Sequence, residues 1–177
     1  MVAKVKLATV WLDGCSGCHM SFLDLDERLV ELSAAVDVVY SPLVDAKELP
    51  DEIDVTLVEG AVATEGDLAK IRKVRAHTKI LVSLGDCAIT TNVPGMRNPI
   101  GVLPVLRRAY EENVTVQPGI PTESLPPLLE RVRPVHDVVP VDVYVPGCPP
   151  SPDLIYYVLT ELVAGRLPDL TGLARFG

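Results

Sequence analysis

Residues 4–18 read Lys-Val-Lys-Leu-Ala-Thr-Val-Trp-Leu-Asp-Gly-Cys-Ser-Gly-Cys. The part up to Leu12 is β-branched and apolar with little polar interruption, which predicts a strand buried on both faces by flanking helices. It runs into a loop, Asp13-Gly14-Cys15-Ser16-Gly17-Cys18, that carries two cysteines and two glycines. Beyond the loop, Phe22, Leu25, Leu29 and Leu32 fall at helical spacing on one face, with Asp24, Glu27 and Arg28 on others, so a helix follows. A buried strand feeding an amphipathic helix through a short loop is the opening of a layered α/β sheet.

The same alternation extends outward. Residues 36–40 and 54–59 predict a second and a third strand. Thr64 with Asp67 three positions on resembles a capping box, opening a helix that turns Leu68, Ile71 and Val74 inward. Residues 79–84 predict a fourth strand and residues 102–111 a helix. A shorter helix is expected near Ser124, with Pro126 and Pro127 in a first turn whose N–H groups lack partners anyway. Residues 141–145 predict a fifth strand. Ser151 as N-cap, Pro152 at the first helical position and Gly165 at the end bracket a helix buried through Leu154, Val158 and Leu162. The pattern predicts an α/β fold with a doubly wound, mainly parallel sheet, flavodoxin-like in its simplest form. With 177 residues, 48% of them hydrophobic, residues 1–177 are expected to form a single domain, and the proline-rich stretch 118–140 a long connection within it.

The net charge of −8, from 24 acidic and 16 basic residues, argues against nucleic acid as a partner, since the cations are scattered apart from a modest patch at 70–79. No basic-then-apolar leader and no long uncharged apolar run is present, so a cytoplasmic, soluble chain with no membrane partner is expected. In that compartment four cysteines point to metal or redox chemistry rather than to disulfides.

All four cysteines fall at predicted carboxyl ends of strands. Cys15 and Cys18 follow the first strand, Cys87 the fourth and Cys148 the fifth. Ligands of open parallel sheets bind just beyond those ends, so four thiols distant in sequence are expected in one crevice. Each has glycine beside it: Gly14 and Gly17, then Gly85, then Gly147. Such turns let backbone approach a bulky group closely and offer N–H donors to it. Four soft thiolates suit an iron–sulfur cluster or zinc. Zinc usually takes two paired knuckles, whereas only Cys15 and Cys18 are paired here. A thioredoxin-like dithiol would use that pair and leave Cys87 and Cys148 unexplained. A flavodoxin-type FMN site would want hydroxyl groups in the first loop, which offers only Ser16, and a flavin in the crevice stays open. Buried, inert cysteines are the remaining reading.

The blocks Cys15-Ser16-Gly17-Cys18-His19-Met20-Ser21, Glu59-Gly60, Gly85-Asp86-Cys87 and Pro146-Gly147-Cys148-Pro149-Pro150, in this order and at these intervals, resemble the small subunit of NiFe hydrogenases. The likeness runs over essentially the whole chain. Respiratory-type small subunits continue into a region with further clusters, whereas this sequence has no cysteine after Cys148, so one cluster is expected. The related subunit of respiratory complex I has adjacent cysteines in its first motif; Ser16 and Gly17 separate them here, which favours the hydrogenase side and, within it, the cytoplasmic NAD-reducing class.

That resemblance implies one 4Fe-4S cluster on Cys15, Cys18, Cys87 and Cys148, with Gly14, Gly17, Glu59, Gly60, Gly85 and Gly147 around it. It implies that the NiFe centre belongs to a separate large subunit. It further implies that electrons pass through this chain toward diaphorase flavoprotein and iron–sulfur subunits carrying FMN and meeting NAD. A related short subunit or complex I-like module serving another acceptor, such as a deazaflavin or NADP, is the alternative. No catalytic residue is expected on this chain.

Glu59 ends a buried strand and is expected either to cap loop N–H groups or to serve the cluster or a subunit interface. His19 is expected at an interface or a helix start rather than as a ligand, and His77 and His136 at the surface. Asp13 and Asp86 flank ligands and can bond to turns. Trp11 reads as a core residue of the first strand, with shielding of the site as the other reading.

Overall fold

The computed structural model describes residues 4–177. Five parallel strands form the central sheet: β1 (Val5–Trp11), β2 (Val36–Tyr40), β3 (Ile53–Glu59), β5 (Thr78–Leu84) and β7 (Val143–Val145), in the spatial order β2-β1-β3-β5-β7. This is the flavodoxin-like strand order, with the switch point between β1 and β3. Successive side chains of a strand face opposite ways, and the two faces feed two cores. Leu7, Val55, Leu57, Val82 and Val145 meet α6 (Pro152–Val163) and Phe22 of α1 (Gly17–Leu23) on one face. Val10, Val58 and Leu81 meet Ile71 and Val74 of α3 (Glu65–His77) on the other. No helix among the described residues is long and apolar enough to cross a membrane.

Local signals hold where backbone chemistry sets them. Thr64 Oγ1 accepts from Asp67 N–H at 3.0 Å while Asp67 Oδ2 accepts from Thr64 N–H at 3.0 Å, the predicted capping box. Ser151 Oγ accepts from Leu154 N–H at the start of α6.

Three expectations change. The helix predicted across Phe22 to Leu32 is two helices, α1 and α2 (Glu27–Ser33), broken at Asp26, whose φ of 50° and ψ of −122° leave helical backbone altogether. No helix begins near Ser124. Pro126 and Pro127 lack N–H groups and push their predecessors toward extended backbone, and residues 128–133 form a strand instead, β6 (Leu128–Arg133). It pairs antiparallel with a short strand the sequence reading missed, β4 (Val62–Thr64), in a separate two-stranded ribbon. Arg97 ties that ribbon down, its guanidinium donating to the carbonyls of Ala63 and Leu129. The helix expected at 102–111 is α5 (Val102–Arg107), continuing into a wider π turn over Arg108–Glu112; α4 (Asp86–Thr90), directly after β5, was not anticipated.

Candidate metal centre

The loops leaving β1, β3, β5 and β7 meet over one pocket. Its lining holds Cys15, Cys18, Cys87 and Cys148 together with Gly14, Gly17, Glu59, Gly60, Asp86, Gly147 and Pro149. Every expected site residue but one is in this lining. Gly85 lies just behind it, where a Cβ would sit 2.3 Å from Cys18 Sγ; its φ of +82° is also one that only glycine adopts freely. Gly60, at φ +84°, passes so close to the first loop that a Cβ would sit 2.7 Å from the Asp13 carbonyl oxygen. Glycine at these two positions gives the first loop and the Cys18 sulfur their room.

All four cysteines are free thiols. Burial pushes the Cys18 thiol well above its ordinary pKa, and the negative charges of Glu59, Cys87, Cys15 and Cys148 add to the effect. Burial likewise raises Cys87, opposed by a backbone N–H bond from Val93 and reinforced by Cys148, Cys15 and Glu59. Thiolate charge at Cys18 and Cys87 is thus penalised, and a cationic metal core is the chemistry that relieves it. The donor set fits an iron–sulfur group.

Glu59 and His19 form the floor on the β1–β3 side. Glu59 Oε2 accepts from the His19 backbone N–H and from His19 Nδ1, both at 2.7 Å. His19 sits in the first turn of α1, where N–H groups lack helical partners and where Ser16 provides no side-chain cap. Glu59 thus caps α1 from a neighbouring strand. His19 is 2% exposed and Glu59 3%, so His19 is not an interface residue on this chain. The carboxylate fixes the ring proton on Nδ1, and His19 Nε2 has no partner among the described residues. The edge of Trp11 packs on the His19 ring at 5.2 Å between centroids, so this half-buried tryptophan supports the histidine rather than filling the central core.

On the far side, buried Asp86 bonds to the turn before Cys148, as its position next to Cys87 suggested, with Gly147 N–H donating to Oδ1 at 2.7 Å. Asp13 is exposed and pairs backbone with Ala61; its carboxyl is pushed up by partial burial and by Asp67, against Arg97. Asn92 Nδ2 lies 3.4 Å from Cys148 Sγ, a contact no sequence motif announced. His136 is exposed as expected, whereas His77 is half-buried beside the Asp51 carbonyl.

Comparison with known sequences places these features in one lineage. The family described as NADH ubiquinone oxidoreductase, 20 Kd subunit, matches residues 15–162, from the first cysteine to the last turns of α6. This chain belongs to that family. Among curated proteins, it is 41% identical over 172 residues to the NAD-reducing hydrogenase HoxS subunit delta of Cupriavidus necator, covering 94% of this chain and 82% of that protein. It is 40% identical over 168 residues to a subunit of the F420-non-reducing hydrogenase vhu of Methanocaldococcus jannaschii, covering 94% of this chain but only 58% of that protein. The chain therefore spans little more than half of the archaeal relative. A solved chain of an NAD+-reducing NiFe hydrogenase, in the H2-reduced state, superposes with a TM-score of 0.94 at 39% identity, covering 99% of this chain and all of that one.

Proposed function

We propose that this chain is the electron-transfer small subunit of a cytoplasmic NAD-reducing NiFe hydrogenase, and that residues 1–177 form one domain holding a single 4Fe-4S cluster on Cys15, Cys18, Cys87 and Cys148. The observation that carries this reading is the meeting of four free thiols, from three separate strand ends, around one pocket. Such a cluster takes up and passes on electrons one at a time. The chain's own residues do the holding. Gly85 leaves room for the Cys18 sulfur, Glu59 and His19 fix the start of α1 behind the first two cysteines, and Asp86 secures the turn of Cys148.

The partners in this reading are a large subunit with the NiFe centre and diaphorase subunits that carry FMN and meet NAD. The 39% identity and TM-score of 0.94 to a chain of an NAD+-reducing enzyme support NAD as the acceptor. Metal and sulfide analysis of the purified complex tests the assignment. A drop of about four iron and about four acid-labile sulfide relative to the parent complex, the two lost together in Cys87→Ser or Cys148→Ser, is the expected result. One zinc, or a metal-free chain with a reversible Cys15–Cys18 disulfide, would refute it. Co-purification of a nickel-containing subunit tests the complex.

A further inference from the structure

Asp86 is 4% exposed, and both of its carboxylate oxygens are engaged by backbone N–H groups from distant parts of the chain. Oδ1 accepts from Gly147 at 2.7 Å, and Oδ2 accepts from Gly177 at 3.0 Å. The Asp86 N–H in turn donates to the Gly147 carbonyl at 2.9 Å. The loop bearing Cys87 and the turn bearing Cys148 are therefore locked at two points. The third party is the segment after α6. It packs Leu170 and Ala174 on the core, takes a bond from Tyr157 Oη at Asp169, and returns to the site at Gly177. There it lies against the Cys148 main chain, so closely that a Cβ on Gly177 would meet Cys148 N at 3.0 Å and Cys148 Cβ at 3.1 Å. A buried carboxylate is stable only with its lone pairs satisfied, so the three segments hold Asp86 as much as it holds them.

We propose that Asp86 is a positioning residue that fixes Cys148 relative to Cys87, with the Gly177 segment bracing the Cys148 main chain from outside. Without this clamp Cys148 is the ligand that lets go, and the iron it holds is the one lost. The proposal rests on the cluster reading above.

The test uses the purified hydrogenase complex carrying Asp86→Asn or Gly177→Val. Asparagine keeps the shape but presents an N–H2 group to one of the two donors. Valine presses on Cys148 while Asp86 and all four cysteines stay chemically unchanged. Ferricyanide removes one electron from the 4Fe-4S cluster in its 2+ state, and one Fe2+ then departs to leave the 3Fe-4S cluster in its 1+ state. A ferrous chelator captures the iron, and the paramagnetic signal of the three-iron cluster reports the product. Both variants are expected to begin with a full iron complement and to convert about fivefold faster than the parent, or more. Thr78→Val, which removes a buried hydroxyl bonded to Val74 and Thr56 far from the site, is expected to convert at the parental rate.

Parental rates in both site variants would overturn the proposal, as would equally fast conversion in Thr78→Val, which would mark a general loss of stability. If Asp86→Asn yields no complex, Gly177→Val decides by the same criterion. A Cys148→Ser complex that keeps the parent's full iron and acid-labile sulfide would instead sink the cluster reading, and this proposal with it.

Discussion

Replacing Gly85 by alanine separates a pocket that merely contains thiols from one that must present them to a bound core. A Cβ at Gly85 would lie 2.3 Å from Cys18 Sγ. Carbon and sulfur in ordinary contact stand at about 3.5–4 Å, so the sulfur must retreat by more than about 1 Å. A free thiol manages this by rotating, and the apoprotein is expected to fold. A thiolate bonded to iron has no such freedom, because metal–sulfur bonds of about 2.3 Å do not stretch by that amount. The substitution also forces alanine into φ +82°, ψ 162°, a backbone region essentially reserved for glycine, costing about 1–3 kcal/mol by itself.

Gly165→Ala is the control for a positive-φ substitution without a clash, since Gly165 has φ +73° and no described residue within 4 Å of its would-be Cβ. The expected outcome is a loss of stability in both variants by denaturant titration, with iron and sulfide retained in Gly165→Ala and lost in Gly85→Ala. The assay is metal and sulfide content with the visible charge-transfer absorbance of the complex. A Gly85→Ala complex with a full iron complement would refute the reasoning, because Cys18 could then not be the ligand that this geometry makes it.

Glu59→Gln leaves all four thiols in place but removes the charge that holds His19, so iron content should stay at the parental level while electron transfer through the complex slows; unfolding free energy should fall by about 1–3 kcal/mol, and unchanged activity with an intact cluster would leave Glu59 a cap and nothing more. Asp54 accepts from Lys79 Nζ at 2.7 Å and from Lys6 N–H at 2.8 Å, and these bonds hold its carboxyl below the ordinary range. A depressed folded pKa gives stability that is present above the unfolded value and lost as pH falls through the folded one. Asp54→Asn should therefore cost at most about 1 kcal/mol at neutral pH, this being a largely exposed pair, and the gap should close in acid; a gap independent of pH would refute the ion-pair account.

The strands and the cysteines were legible because each is a local signal tied to a general rule. β-branched apolar runs make buried parallel strands, and Thr64, Asp67 and Ser151 cap helices with their own side chains. Where local chemistry conflicted with spacing, spacing misled: Phe22 to Leu32 carry a helical stripe, yet the chain breaks at Asp26, and the prolines at 126 and 127 end in an extended lead-in to β6. The pairing of β4 with β6 joins short segments far apart in sequence, and neither is periodic enough to declare itself.

By itself the sequence determined the five strands of the central sheet, the helices α3 and α6 and the place of every cysteine at the end of a strand, because hydrophobic period and turn chemistry act over a few residues. Only the tertiary structure decided who faces whom. The strand order brought Cys15, Cys18, Cys87 and Cys148 to one pocket; Glu59 became the cap of a helix 40 positions away, and Asp86 the tie between residues 61 and 91 positions distant. Those bonds form because buried carboxylates and stranded N–H groups must find partners in space, and no spacing along the chain records where the partners will be.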